Sequence, residues 1–391
     1  ILARSFAPVA AAMSERATLP HGGWPPPVTA ADLAGAAVAL SDLQVANGRA
    51  WWRESRPQEG GRQVLVSRRP DGALEAHTPE GFNVRSRLHE YGGASYVVLP
   101  DGAIVFSHFG DQRLYRQRPG AAPEPLTPEG YRYADCTLSP GRDWLVCVRE
   151  DHTGATRRAN GEERNEVVAV PLAGGAGEVL VTGSDFVAYP RLSPDGRSLA
   201  WLQWNHPHMP WDQTTLHVAS LGSGGPAAAV RVAGGPGESV TEPAFDADGT
   251  LYFVSDRGGW WNLYRWREGA VSPVLAMEAE FGGPLWTHGA SSYALTGDGR
   301  AVVRYSRDAV DRLGVLDLER GTLRALDLPC TSLGDLRLLD RDTAVLLAGS
   351  PTQPAALVEV ALASGAARVL HQPAPPTLAT EWISVPEAIE F

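Results

Sequence analysis

The chain has 391 residues, of which 43% are hydrophobic and 20% are charged, as in folded globular proteins. The formal net charge of −11 disfavours binding to nucleic acid or an anionic membrane, and the apolar runs are too short to span a bilayer. Three cysteines are too few for a disulfide-rich fold and lack the spacing of a metal site. With no signal peptide recognised at the start, we expect a cytoplasmic protein. We also expect that it needs no cofactor.

Residues 1–45 stand apart from the pattern of the remaining chain. Met13, followed by Ser14, is the expected natural start of the protein. A proline-rich stretch follows, and Thr29 is placed to cap a short alanine-rich helix. We therefore interpret 1–45 as an N-terminal extension that packs against a folded domain.

A strand–turn–strand pattern begins near residue 46 and recurs along the chain. Two apolar strands are joined by a tight turn with Asp-Gly or a relative of it, which signals a β-hairpin because glycine adopts positive φ at little cost. A third strand of similar composition and a shorter fourth strand complete each unit. The clearest hairpins are "SYVVLPDGAIVFSHF" (95–109), "DCTLSPGRDWLVCVRE" (135–150), "YPRLSPDGRSLAWLQW" (189–204), "EPAFDADGTLYFVSD" (242–256) and "SYALTGDGRAVVRYS" (292–306).

The spacing of the turns measures the repeat. Turns at positions 102, 141, 196, 249 and 299 are 39 to 55 residues apart, with an earlier unit at Gly48 and a degenerate one near Arg341. Seven units of four antiparallel strands at this period predict an all-β fold, a seven-bladed β-propeller over residues 46–373. A β-sandwich or a pair of stacked β-domains is the alternative, but a sandwich does not require this period.

Two of the cysteines lie in one predicted hairpin. Cys136 and Cys147 flank the turn near Gly141 and could face each other across it. We expect buried free thiols here rather than a disulfide.

The chain contains none of the motifs that mark common catalytic sites. It has no Gly-x-Ser-x-Gly, no phosphate-binding loop, no dinucleotide fingerprint and no His-Glu-x-x-His. We therefore predict no catalytic residue in this chain. Residues 374–391 form a proline-rich linker followed by a new apolar segment, which we interpret as the first strand of a further domain.

Four loops combine aromatic and charged side chains with glycine pairs or prolines. They lie at the start of the second blade, between strands two and three of the fourth and fifth blades, and at the junction that follows the fifth blade. Charges beside glycine pairs at such junctions often face the propeller mouth, so we predict a binding site there. The alternative is that the aromatic side chains fill gaps between blades and the charges are solvated. The predicted substrate-binding residues are Glu90, Tyr91, Trp204, His206, Trp211, Arg257, Trp261 and Glu280.

The loop of the fourth blade, "WNHPHMPWD", raises the question of a metal site. His206 and His208 are two residues apart, but Pro207 and Pro210 place them in a loop, and Asp212 is the only further ligand at hand. We therefore predict a stiff aromatic loop without a bound metal.

Longer strings resemble a known family. "SPDGRSLAW" resembles the short repeat of peptidase propellers and TolB-like propellers. "GGWPPPVTAADL", "FNVRSRLHEYGGASY", "LAWLQWNHPHMPWDQTTLHVA", "FVSDRGGWWNLYR" and "MEAEFGGPLW" are similar, in this order, to the N-terminal part of bacterial prolyl oligopeptidase family peptidases. The similarity covers residues 20–391 and favours the acylaminoacyl-peptidase or dipeptidyl-aminopeptidase-like branch.

The resemblance implies a function. In that family a propeller caps a C-terminal α/β-hydrolase domain that carries the Ser-Asp-His triad, and this sequence stops where that domain should begin. The chain is then expected to gate and select short peptides for the hydrolase domain, its partner, and to be inactive alone; a homo-oligomer stays open. Loop position and residue type suggest roles for the predicted residues: Glu90 and Glu280 would bind a substrate amine, Arg257 a carboxylate, and Trp204, Trp211 and Trp261 would form apolar walls.

Two other functions are compatible with the sequence. A stand-alone TolB-like propeller would act through protein–protein contacts. A propeller glycosidase would place an acid and a base carboxylate at the central mouth.

Overall fold

The computed structural model describes residues 18–23, 28–31, 38–141, 143–154, 161–222, 225–373, 378–387 and 389. Within these ranges, seven antiparallel sheets of consecutive strands form the blades of a ring. The predicted seven-bladed propeller is confirmed.

The first three blades follow the predicted order of two hairpin strands, a third strand and a short outer strand. Blade 1 contains β1 (Ala39–Ala46), β2 (Arg49–Arg56), β3 (Arg62–Arg68) and β4 (Leu74–Ala76), with a 3-10 turn at Pro57–Glu59. Blade 2 contains β5 (Tyr96–Val98), β6 (Ile104–Ser107), β7 (Leu114–Gln117) and β8 (Glu124–Pro125). Blade 3 contains β9 (Tyr131–Leu138), β10 (Trp144–Asp151), β11 (Arg164–Pro171) and β12 (Glu178–Val181).

Blade 4 departs from this order, because two short strands pair with its third strand. It contains β13 (Phe186–Leu192), β14 (Ser198–Trp204), β15 (Thr215–Gly222), β16 (Gly225–Pro226) and β17 (Val230–Gly234). Blade 5 contains β18 (Val240–Phe245), β19 (Leu251–Ser255), β20 (Asn262–Arg267) and β21 (Ala270–Pro273). Blade 6 contains β22 (Tyr293–Leu295), β23 (Arg300–Arg307), β24 (Val310–Asp317) and β25 (Thr322–Leu326). Blade 7 contains β26 (Ser332–Asp340), β27 (Thr343–Ser350), β28 (Gln353–Ala361) and β29 (Ala367–His371), and a 3-10 turn follows at Thr380–Trp382.

The hairpin turns form as the Asp-Gly signal predicts. In blade 4, Gly196 has a φ of +70°, a backbone conformation that glycine adopts without strain. The carboxylate of Asp195 accepts hydrogen bonds from the Ser193 hydroxyl at 2.6 Å and the Arg197 amide at 3.0 Å. The side chain of the aspartate thus closes the turn that the glycine permits.

The core is divided among the junctions between blades. Within the described residues, each of seven buried apolar clusters joins two neighbouring blades. Trp52 and Leu43 of blade 1, for example, pack with Val345 of blade 7 and are fully buried. Because each sheet buries both faces against its neighbours, the strands are apolar on both sides, as the sequence indicated.

Carboxylates on the inner strands tie successive blades together around the channel. The inner strands carry β-bulges with residues at positive φ, such as Asp42 at +57° and Asp135 at +52°. The side chain at the bulge accepts the amide of an inner residue in the next blade, a charge-assisted hydrogen bond in a buried place. The pairs are Asp42 with Ser95, Asp135 with Tyr189, Glu242 with Ser292 and Asp335 with Leu43.

Three sequence-based expectations concern the two ends of the propeller, and they either differ from the structure or fall on residues outside the described ranges. The first blade begins at Ala39, before the boundary at 46, because the turn at Asn47 and Gly48 needs a strand on each side. The helix expected after Thr29 and the start at Met13 fall largely on residues outside the described ranges. Residues 383–387 lie in no strand, and several of the remaining residues of 374–391 are likewise outside those ranges.

The expectation of free thiols in the third blade is wrong. Cys136 and Cys147 form a disulfide between β9 and β10, with their Cα atoms 4.2 Å apart. The antiparallel register, in which Val146 faces Thr137, places the two cysteines opposite each other. Cys330 remains a free, half-buried thiol.

Candidate functional site

One face of the propeller carries the loops between second and third strands and the connections from one blade to the next; we call it the loop face. Inner strands run in the same direction in every blade, so each starts at this face. β1 therefore starts at the loop face, and β29, an outer strand, ends there. Both ends of the propeller leave from this face.

An apolar pocket of about 170 Å³ opens on the loop face. Segments leading into blades 2 and 6 meet the long loop of blade 4 around it. Its lining residues are Leu88, His89, Tyr91, Gly92, Phe186, Trp204, His206, His208, Met209, Pro210, Trp211, Leu285, Trp286, Thr287 and His288.

Aromatic contacts hold the walls of this pocket. Trp204 stacks on Phe186, with ring centroids 5.2 Å apart, and His89 meets both rings edge-on. Trp211 lies against Trp286 at 4.4 Å between centroids. The result is one fixed wall made by blade 4 and a second wall contributed by the segment before blade 6.

The backbone of the segment before blade 2 is unusual. His89, Glu90 and Ala94 have φ values of +48°, +65° and +41°, which side chains other than glycine rarely adopt. A Cβ at Gly92 would lie 2.1 Å from the Ser86 carbonyl oxygen, and one at Gly93 would lie 2.3 Å from that of His288. The glycine pair of this segment is therefore required by close backbone approach.

The approach at Gly93 joins two blades that are not neighbours in the ring. The His288 amide donates to the Gly92 carbonyl at 2.9 Å, and Gly93 pairs with His288 in a parallel bridge. Because these segments lead into blades 2 and 6, the contact crosses the central channel, a cavity of about 370 Å³ lined by all seven inner strands or the segments just before them. Tyr189 of blade 4 also reaches the crossing, through its hydroxyl and the Ala290 carbonyl at 3.1 Å.

A histidine pair separates the pocket from the channel. Asn165 donates its Nδ2 to a backbone carbonyl and turns Oδ1 toward His89 Nε2 at 2.8 Å, which places the ring proton on that nitrogen. The His89 Nδ1 then accepts from His288 Nε2 at 3.2 Å. Burial, helped by the proximity of His288, lowers the pKa of His89 to about 4, so this ring is neutral at pH 7.

A buried aspartate stands behind the pair. Asp135 lies 3.8 Å from His288 Nδ1 and 2.8 Å from the Arg191 guanidinium. Burial raises the pKa of Asp135, but Arg191 and His288 outweigh it, so the pKa lies below its ordinary value and the carboxylate is ionised. The channel side of the crossing is therefore charged, whereas the pocket side is apolar.

Comparisons with known proteins place the chain. No protein-family model and no curated protein matches it. Among solved structures, a Mycobacterium tuberculosis puromycin-hydrolyzing peptidase is 38% identical, with a TM-score of 0.88, over 95% of this chain and 59% of that one. A puromycin hydrolase is 37% identical, with a TM-score of 0.84, over 92% and 58%. Prolyl oligopeptidase B from Galerina marginata shares the fold at 12% identity, with a TM-score of 0.63, over 88% and 52%.

The chain is a propeller of the prolyl oligopeptidase family. It spans less than two thirds of the length of the peptidases that it matches, and it corresponds to their N-terminal propeller part. The family resemblance predicted from the sequence is confirmed.

The pocket brings together four of the residues predicted for this family propeller. Tyr91, Trp204, His206 and Trp211 all line it. Tyr91 is 64% exposed and approaches Trp286 edge-on, whereas Trp204 is almost completely buried. These four come from the segment before blade 2 and the loop of blade 4.

The other four predicted residues lie elsewhere in the propeller. Glu90 pairs with Arg132 at 2.7 Å and Arg87 at 2.9 Å, and these bonds lower its pKa. Arg257 binds the Glu238 carboxylate. Glu280 and Trp261 contact each other, since the Glu280 carboxylate accepts a hydrogen bond from the Trp261 amide at 2.8 Å.

The residues that the structure describes form no metal site around the loop of blade 4. His206 Nε2 lies 2.9 Å from a Glu162 oxygen, and its ring approaches Phe186 edge-on. Within the described part of the chain, no three His, Cys, Asp or Glu side chains are grouped to hold a metal ion. In the same ranges, no helix is long and apolar enough to cross a membrane.

The sequence-based prediction missed four principal members of the pocket: His89, Phe186, Trp286 and His288. Trp286 ends the string "MEAEFGGPLW", in which Glu280 and not the tryptophan was the predicted binding residue. His288 carries no local signal, because its role depends on contact with a segment almost two hundred residues away.

Proposed function

We propose that this propeller covers the active site of a C-terminal α/β-hydrolase domain and selects the short peptides that reach it. One observation carries the proposal: both ends of the propeller leave from the loop face, the face that holds the aromatic pocket. A domain continuous with the chain is thereby held against that face. The greater length of the similar peptidases supports such a domain.

The crossing of segments over the channel suggests the route that peptides take. Gly92, Gly93 and His288 join backbone to backbone across the mouth on the loop face. A peptide passing along the channel would have to break this contact. We therefore infer that substrates enter between the two domains, along the loop face, and that the propeller excludes folded proteins by covering the site.

The reaction of the similar peptidases supports an amide substrate with a free amine. Two of the similar peptidases hydrolyse puromycin. We propose short peptides with a free amine as the substrate class here, which the dipeptidyl-aminopeptidase-like branch implies. Of the two predicted amine anchors, Glu280 is the better placed, because Glu90 already pairs with two arginines.

The experiment uses the two-domain protein. One cleavable sequence is offered as a short peptide and again within a surface loop of a stably folded protein, and kcat/KM is measured for both. We expect the peptide to be cleaved and the folded protein to be spared. Equal rates for the two substrates would refute selection by the propeller. If the two-domain protein did not cleave the short peptide either, the assignment as a peptidase would be refuted.

A further inference from the structure

The pocket on the loop face has the size and the lining of a site for one aromatic ring. Its volume is about 170 Å³, and a cavity of roughly 150 Å³ lined by apolar side chains is known to hold benzene. The lining contains no Asp, Glu or Arg, and its polar side-chain groups are four imidazoles, one threonine, the Tyr91 hydroxyl and the indole N–H groups of three tryptophans. A ligand that fits is therefore uncharged where it is enclosed.

The mouth of the pocket exposes apolar surface that the fold itself does not require. Tyr91, Trp286 and Met209 are 64%, 55% and 43% exposed and surround one opening. Large apolar side chains scattered singly are common on protein surfaces, but a cluster around a cavity marks a binding site. The walls beneath them are fixed, because Trp204 and Leu88 are buried in the core between blades.

Strained backbone holds the exposed side of the site in position. Tyr91 lies between Glu90 at a φ of +65° and Gly92 at +69°. Two arginines hold the Glu90 carboxylate, and the crossing to His288 fixes the following glycines. Non-glycine residues at positive φ cost free energy and are concentrated at functional sites, so this strain supports a binding role for the segment.

The chemistry of the lining selects among ligands. Edge-on and stacked contacts already join His89, Phe186 and Trp204, and a further ring would extend the same arrangement. The His208 ring at the rim can donate to a peptide carbonyl. An aliphatic side chain would fill part of the volume without these ring contacts.

We propose that this pocket is a subsite for an aromatic side chain of the peptide substrate. That the ligand is part of a substrate rests on the proposed function, whereas the binding of an aromatic ring in this pocket does not. The pocket has one mouth and a volume suited to a single side chain, whereas a segment of chain would need a longer groove, so a substrate side chain is favoured over a loop of the hydrolase domain.

Binding is tested first on the chain as it stands. N-acetyl-phenylalaninamide and N-acetyl-leucinamide are titrated by ligand-observed NMR, with the wild type, Trp286→Ala and a control, Trp260→Ala. Trp260 is 41% exposed and lies outside the pocket. We expect the phenylalanine amide to bind more tightly than the leucine amide, and Trp286→Ala to weaken it about tenfold, with Trp260→Ala unchanged. Tyr91→Ala serves as a second variant if Trp286→Ala does not fold.

Equal binding of the two amides, or equal loss in Trp286→Ala and Trp260→Ala, would overturn the subsite. The two-domain protein then separates this inference from the proposed function. If Trp286→Ala raises KM for peptides with phenylalanine but not with alanine, both stand. Binding of the amide to the propeller with no effect of Trp286→Ala on peptide cleavage would overturn the substrate subsite and leave the proposed function intact. An amide that binds this chain but not the two-domain protein would show that the protein's own hydrolase domain fills the pocket, and would overturn the proposal.

Discussion

The close approach of backbone at Gly92 leads to a prediction with a matched control. Gly92 and Gly48 have nearly identical φ values, +69° and +68°. A methyl group added at Gly48 would meet no atom within 4 Å, whereas at Gly92 it would lie 2.1 Å from the Ser86 carbonyl oxygen. Comparing Gly92→Ala with Gly48→Ala therefore separates the cost of steric overlap from that of the left-handed backbone.

The expected magnitudes follow from that geometry. Alanine in the left-handed region costs about 1 to 2 kcal/mol, and this is the whole expected effect at Gly48. At Gly92 the backbone must also move by about 1 Å to relieve the overlap, so we expect roughly 3 to 5 kcal/mol in total, near the upper end for single substitutions. The displacement also loosens the hydrogen bond from the His288 amide to the Gly92 carbonyl.

Urea unfolding of the three proteins measures the difference, and hydrogen exchange at the His288 amide reports the crossing. We expect a lower midpoint and faster exchange for Gly92→Ala than for Gly48→Ala. Equal destabilisation of the two variants would show that the segment before blade 2 is not held by its close approach to Ser86 and its hydrogen bond from His288.

Three further predictions concern groups in and around the loop face. The pKa of His89 is about 4 in the folded chain and near 6.5 when unfolded, so the unfolded state binds more protons between these values. The contribution of His89 to stability is then fully present above about pH 6.5 and is lost toward pH 4, where the free energy of unfolding is lower by up to about 3 kcal/mol. In urea unfolding at these two pH values, His89→Gln should reduce the difference. Thiol titration of the denatured chain should find one free thiol without reductant and three with it; three without reductant would contradict the Cys136–Cys147 disulfide. In the two-domain protein, Glu280→Gln should lower kcat/KM for free-amino peptides about tenfold or more relative to blocked ones, whereas Glu90→Gln should affect both alike.

The fold was predictable from the sequence because its signals are local. Each Asp-Gly turn and its flanking apolar strands lie within about fifteen residues, as the Gly196 hairpin illustrates. The same local signal accounts for β1, because the turn at Gly48 needs a strand on each side. A repeat of such units needs no long-range information until the ring closes.

The pocket was only half predictable because its contacts are long-range. Trp204 and Trp211 stood out by composition, but their partners Phe186 and Trp286 come from other connections in the ring. The charged residues predicted for the site lie outside the pocket. Arg257 found Glu238, a partner in the connection from blade 4, which composition alone does not reveal.

The closure of the ring has a mechanical consequence. Within the described residues, blade 1 and blade 7 share no strand, so six junctions are crossed by a covalent connection and the seventh is held by non-covalent contacts such as the Asp335–Leu43 hydrogen bond. β1 and β29 both reach the loop face at this junction, where His371 stacks on Trp52. Tension between the two ends would peel the junction from one edge, breaking its contacts one after another. A neighbouring domain that holds both ends close together would carry this load and act as the clasp of the ring.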